Sequence, residues 1–254
     1  MKKWRKTAII YGLIFFPLLL SAQEWKISNR IGIEGGGATF YGRTVVPDRI
    51  RTGESIWGGN FFTGGQVLDV SYGGIKYERY FLEKRMEFAA GLRFTQFSSD
   101  IYGGSGFLWK FNEGSIYTDY VRISSITQID NYIGIPLECS YLLKESDSFF
   151  RPYVKMGIVV NRLIYTSNSI EFANEQMNQY AGAVGKQTPK PNLFNSYIYP
   201  AVGFKLGKNH HVWFDVEIQY LPFLMAKKAH PFISNASGMG SQFSIQIPLN
   251  KQSK

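Results

Sequence analysis

Residues 131–165 read NYIGIPLECSYLLKESDSFFRPYVKMGIVVNRLIY. In the first half Ile133, Ile135, Leu137, Cys139, Tyr141 and Leu143 alternate with Tyr132, Gly134, Pro136, Glu138 and Ser140. In the second half Phe150, Pro152, Val154, Met156, Ile158 and Val160 alternate with Arg151, Tyr153, Lys155, Gly157 and Asn161. A period of two in each half predicts two strands, each with one apolar face and one polar or small face. Lys144 to Ser148 brings charges and no apolar residue, which is the composition of a tight turn.

The same pattern recurs to either side. Further strands are expected over 25–41, 70–82, 86–97, 194–206, 212–220 and 243–249, which makes eight with the opening pair. Asn29 interrupts the apolar row of the first strand. Arg79 falls on the apolar face of the second, near a strand end from which a long side chain reaches an interface. Pro136 and Pro200 each remove a ladder donor, so a bulge is expected at each. The gaps alternate: 43–69, 99–129, 166–193 and 223–241 are long, whereas 83–85, 144–148 and 207–209 are short.

An even number of antiparallel strands with every long loop at one end is the layout of an eight-stranded antiparallel transmembrane up-and-down β-barrel, with short periplasmic turns and long extracellular loops. A soluble sandwich or a lipocalin-like barrel has no reason to segregate its loops in this way. The polar rows carry Arg30, Lys76, Arg93, Arg151, Lys155 and Lys205 together with Glu34, Glu78, Glu87, Glu138, Asp215 and Glu217, a sum of zero. Eight strands enclose a lumen that side chains alone fill, so these twelve groups are expected to form one luminal polar network and to plug the barrel. The competing reading is scattered charges on the wet face of a soluble sheet.

Composition bounds the function. Of 28 basic residues, Lys2, Lys3, Arg5 and Lys6 precede the apolar run from Ala8 to Leu20; the remaining 24 face 19 acidic residues and are spread along the chain. A nucleic-acid footprint would gather them on one face. Residues 1–22 have the form of an export signal peptide, leaving 23–254 as a single barrel domain, and no later run approaches the roughly 20 apolar residues of a spanning helix. Cys139 is the sole cysteine, which excludes an internal disulfide; on the apolar face of its strand it reads as a small buried hydrophobe.

The run Tyr132-Ile133-Gly134-Ile135-Pro136-Leu137, then Tyr153-Val154-Lys155-Met156-Gly157, the glycine-rich Ile31 to Gly37 and Gly74-Ile75-Lys76-Tyr77-Glu78-Arg79 resemble the Bacteroidetes outer-membrane β-barrel domain family that includes the PorT-like proteins. The resemblance spans nearly all of the chain after the signal and implies residence in the bacterial outer membrane, where an envelope or secretion accessory is one role it suggests. His230-Pro231-Phe232-Ile233-Ser234-Asn235-Ala236 resembles the His-x-Ser-Asn-Ala segment of the lipid A deacylases, but His230 stands four residues before Ser234 rather than two. Gln246 occupies the place where the orienting acid would fall. A triad without its acid is incomplete, so the expectation is a non-enzymatic structural or binding barrel, with an outer-leaflet lipid A-modifying enzyme using His230 and Ser234 as the alternative. His210-His211 lacks further ligands at metal spacing, and Gly35-Gly36-Gly37 precedes no helix; no cofactor or metal is expected.

The long gaps hold Arg43, Arg49, Arg51, Lys110, Arg122, Lys186, Lys190, Lys227 and Lys228 beside Trp57, Phe61, Phe62, Trp109 and Phe111. Cations beside aromatics at one membrane face suit the phosphates of a lipopolysaccharide headgroup, making outer-membrane lipid the expected partner, with envelope proteins as further candidates. The same gaps carry Asp48, Glu54, Glu113, Asp119, Glu171 and Glu175, so ordinary solvated loop charge is the plainer alternative.

Overall fold

A computed structural model describes residues 27–51, 66–81, 85–113, 118–144, 148–208, 211–224 and 228–249. The export signal, Trp57, Phe61, Phe62, His210 and Lys227 lie outside these described residues. The strands are β1 (Ile27–Thr44), β2 (Gln66–Phe81), β3 (Met86–Glu113), β4 (Thr118–Leu142), β5 (Phe150–Phe172), β6 (Phe194–Leu206), β7 (Trp213–Leu224), β8 (Lys228–His230) and β9 (Ile233–Pro248). Antiparallel pairing runs from β1 through β7 to β9, and β9 pairs back to β1, closing a ring of eight; β8 is a three-residue addition to β9. Hydrogen-bonded partners from Glu34 through Gly74, Arg93 and Gly134 reach Asn161 on β5. The opposite route through Ser244, Asp215 and Lys205 reaches Arg151 on the same strand. The two routes differ by a stagger of about ten residues, which fixes the strand tilt and hence the bore.

The faces divide by chemistry. Ile31, Ile33, Ile75, Leu92, Phe94, Ile135, Met156, Val202, Ile218 and Phe243 are all exposed, whereas every one of the twelve alternating charges is buried. A continuous apolar belt on the outside and charge on the inside is the reverse of a soluble barrel and fits hydrocarbon as the outer solvent. Cys139 belongs to this outer row and is half-buried there rather than sunk in a core.

Glycines set how closely the inner layer packs. The ring of Tyr72 lies over Gly36, that of Tyr199 over Gly157 and that of Tyr153 over Gly203, each pair being directly opposed on neighbouring strands. Each tyrosine fills the space left by its glycine and thereby reaches along the lumen wall. Gly157→Val would put methyl groups where the Tyr199 ring sits; a loss of about 1–3 kcal/mol is expected, read as a lower temperature for loss of the compact band in unboiled gels.

The expected strand bounds fall short at the loop end. Most of 99–129 and the start of 166–193, as far as Phe172, are strand, since β3 is 28 residues long, β4 is 25 and β5 is 23. About 9–11 residues suffice to cross a bilayer, so half of β3 and β4 stands clear of it. Register shifts between Tyr102 and Phe107 and between Ile123 and Ser125 twist this extension, with Gly106 at φ 76 taking the bend. Segment 233–241 is likewise strand, and His230 belongs to β8, so 230–236 is no plain polar loop.

Pro200 does carry a bulge, between Ile198 and Ala201 on the β7 side. Pro136 does not: Ala90↔Leu137 and Arg93↔Gly134 stay in step around it, so the ladder skips the missing donor without slipping.

The extension has its own apolar core. Ile50, Ile101, Phe107, Trp109, Val121, Ile123, Ile126, Val184 and Phe232 are buried together. The cover comes from a 3-10 turn over Glu175–Tyr180, begun by an Asn174 side chain that accepts from the Gln176 amide at 3.0 Å, and from α1 (Ala181–Gln187). Gln187 locks it, accepting from Trp109 Nε1 at 3.0 Å and donating to the Phe111 carbonyl at 3.0 Å. Trp109 and Phe111 therefore serve the cap interior and are not membrane-interface anchors: the ring of Phe111 meets Tyr180, and Trp109 is fully buried.

Candidate functional site

The lumen is layered. At the turn end Trp213 is clasped by two arginines, with Arg30 Cζ 3.3 Å and Arg151 Cζ 3.6 Å from its ring centre. Tyr80 meets it edge-on at 5.8 Å. Arg30 donates to the His211 carbonyl at 3.0 Å and Arg151 to the Gly207 carbonyl at 2.7 Å, so the same two guanidinium groups cap the β6–β7 turn. His211 itself lies exposed at that turn, and no cluster of metal-ligating side chains is found among the described residues.

Above this layer the charges close on one another. Glu138 is the hub: Lys76 Nζ stands 3.2 Å from it, Arg93 Nη2 3.2 Å and Lys155 Nζ 3.1 Å, and Tyr199 donates to the same carboxylate. Arg93 also binds Glu34 at 2.6 Å, Lys76 binds Glu78 at 3.0 Å, and Lys155 binds Glu217 at 2.5 Å. Lys205 joins Glu87 at 2.7 Å and approaches Asp215 at 3.5 Å. The Tyr153 hydroxyl lies between Asp215 and Glu217, at 2.6 and 2.8 Å, with one proton to share between the two carboxylates. Ten of the twelve charges are thus joined in one web by these bonds, and Arg30 and Arg151 stack on Trp213 at its turn end. The tyrosines, Gln219, Gln242 and Gln246 that complete the web escape a sequence reading because neutral polar residues leave no charge to count.

Toward the loop end the lumen turns apolar, with Phe40, Leu68, Val70, Phe97, Tyr132, Val159, Ile233 and Ala236 packed across it. Residues 188–193 cross the mouth, where Pro189 and Asn192 carbonyls accept from Gln128 and Tyr132 at 3.3 and 3.1 Å. Charge, apolar layer and cap lie in series along the bore among the described residues. Planar-bilayer recordings are expected to show no steady conductance in the nanosiemens range; such a conductance would contradict the filled bore.

His230 finds an acid that its sequence neighbourhood does not offer. Its Nε2 lies 3.1 Å from Asp130 Oδ2, and Thr166 donates to the other Asp130 oxygen. Its Nδ1 accepts from the Phe232 amide at 3.4 Å, whereas the approach of Nε2 to Asp130 is a close contact without hydrogen-bond geometry. Ser234 follows the fully buried Ile233 and so lies on the opposite face of β9, its hydroxyl donating to the Arg43 carbonyl at 3.4 Å. His230 and Ser234 are not brought together, and Gln246 is deep in the lumen on Asp215 at 3.1 Å. The His230–Asp130 pair closes the barrel mouth beneath the cap; only the tilt of the strands brings it about.

Of the loop cations, Arg49, Arg51, Lys110 and Arg122 share one outer face of the extension, opposite the inward Ile50, Trp109, Val121 and Ile123. Two backbone bonds fix that face, Arg51 to the Leu108 carbonyl at 3.0 Å and Lys110 to the Arg49 carbonyl at 2.8 Å. Arg51 stands over the Tyr120 ring at 5.4 Å. Arg162, which a sequence reading of the loops passes over, is exposed on the outside of β5 just above the apolar belt.

These features define a transmembrane β-barrel with a charge-filled bore and a folded cap at one end. Among solved structures the chain is similar in fold to Neisserial surface protein A, with a TM-score of 0.40 at 9% identity over 85% of this chain and 96% of that one. It is also similar to the N-terminal β-barrel domain of Pseudomonas aeruginosa OprF, with a TM-score of 0.31 at 14% identity over 86% of this chain and 99% of that one. No family model matches the sequence, and no curated protein does so either.

Proposed function

We propose that this is a non-enzymatic bacterial outer-membrane barrel whose lumen serves stability, and whose cap is a binding surface for the anionic headgroups of outer-leaflet lipopolysaccharide. The observation that carries the reading is the shared outer face of Arg49, Arg51, Lys110 and Arg122, raised above the apolar belt on the β3–β4 extension. Guanidinium and ammonium groups on a rigid sheet meet phosphates without first being ordered, which favours Arg for this chemistry. Of the nearby acids, Glu171 is engaged by the Ser125 hydroxyl at 3.0 Å.

Alanine at all four positions is expected to weaken binding to purified lipopolysaccharide by at least about tenfold and to flatten its salt dependence, with the barrel still folded. Unchanged binding, or equal binding to dephosphorylated lipopolysaccharide, would refute the reading. On intact cells an impermeant amine reagent should label Lys186 and Lys190 and spare Lys144; the reverse pattern would invert the topology. The enzymatic alternative predicts an acyl-chain difference in lipid A between Ser234→Ala and wild type, and none is expected. A role as an envelope or secretion accessory of the PorT-like kind would instead appear as envelope proteins that co-purify.

A further inference from the structure

The outer wall of β2 to β6 is not smooth. A groove of about 620 Å³ crosses it, with Tyr77, Phe88, Leu137 and Met156 as walls and Ala90 and Cys139 as the small residues that create the dent. Ile158 and Ile198 lie toward its upper end and Arg79 toward the turn end. Every wall residue belongs to the outward row of its strand, so the groove opens into the hydrocarbon region, where water is no partner.

Arg79 is the exception in that row. Its guanidinium lies 5.5 Å from the Phe81 ring, and its Nε is buried with no hydrogen-bond partner among the described residues. A cation with an unmet donor, at the headgroup end of an apolar groove facing lipid, has the polarity of one molecule in particular. We propose that the groove holds a single phospholipid of the turn-side leaflet, one acyl chain along Ala90 and Cys139 and the phosphate against Arg79. The phosphate bonds the outward amino groups of the guanidinium, which make no hydrogen bond among the described residues, and the chain fills a volume that neighbouring side chains leave empty. This inference needs only the barrel and its orientation of faces, and is independent of what the cap binds.

Cys139, the sole cysteine, is a native reporter inside the groove. In detergent-solubilised, folded protein, the rate of Cys139 alkylation by N-ethylmaleimide is measured with phosphatidylglycerol, with diacylglycerol of the same chains, or with neither. Phosphatidylglycerol is expected to slow alkylation about tenfold and diacylglycerol little, and Arg79→Gln should remove most of that protection. Native mass spectrometry should show one phospholipid retained per wild-type barrel and none on Arg79→Gln. Equal rates with and without phosphatidylglycerol, equal protection by diacylglycerol, or full protection in Arg79→Gln would overturn the proposal. So would protection that follows protein concentration rather than lipid, because a second barrel would then be the occupant.

Discussion

Glu138→Gln is expected to abolish the heat-resistant folded form of the barrel. The glutamine keeps shape and one acceptor but removes the charge on which Lys76, Arg93 and Lys155 converge within 3.2 Å. All three cations are buried, and water does not reach them to take the carboxylate's place. Breaking one buried pair costs about 3–5 kcal/mol, and here one substitution disturbs three. Glu34, Glu78 and Glu217 still neutralise part of the cluster, so the loss is not three times as large. Urea unfolding in detergent, followed by tryptophan fluorescence, checks the result. A midpoint within error of wild type would mean that the web contributes little. The double substitution Glu138→Gln with Lys155→Met should recover part of the loss, because it removes a charge left over by the first.

Trp109→Ala should separate cap from barrel. The indole is fully buried in the loop-end core and hydrogen-bonded to Gln187, so its removal leaves a cavity and an orphaned amide worth about 3–5 kcal/mol together. The lower core shares no residue with it: Phe40, Phe97, Tyr132 and Tyr199 belong to a different cluster. Local stability therefore falls in one unit and not the other. Limited trypsin treatment of the reconstituted protein should cut at Arg122 and Lys186 many times faster than in wild type, while the heat-resistant mobility of the barrel persists. Equal protease resistance, or loss of the whole fold, would show that the two cores are one.

The belt was legible because one solvent rule governs it: even positions 88, 90, 92 and 94 on β3 face out and are apolar, and Glu87 and Arg93 face in. Above Phe94 the facing does not change but the solvent does. Gln96 and Ser98 now lie outward in water, and Phe97 and Ile101 inward, so the apolar row changes sides while the strand runs straight on. Read as period two with one apolar face, that crossing looks like the end of a strand, and the bulges at Tyr102 and Ile123 complete the disguise. The luminal charges were legible one by one, as the polar half of the alternation; their partners were not, because a stagger of ten residues decides which row meets which. The same holds for Asp130 against His230, which lie 100 positions apart and meet only once the ring is closed.

The luminal pairs also constrain how the chain enters the membrane. Arg93 on β3 answers Glu34 on β1, Lys76 on β2 answers Glu138 on β4, Lys155 on β5 answers Glu217 on β7, and Lys205 on β6 answers Glu87 on β3. None of these four is a hairpin pair; although Lys155–Glu138 and Lys205–Asp215 do lie within hairpins, a sheet inserted one hairpin at a time would leave part of its charge without the cross-barrel partner. The low-cost route keeps the nascent sheet curled around water until the β1–β9 seam zips, and only then expels that water. Closure of the β1–β9 seam is accordingly expected to complete the web, and a chain halted before β9 is expected to be degraded rather than to stand as a smaller barrel.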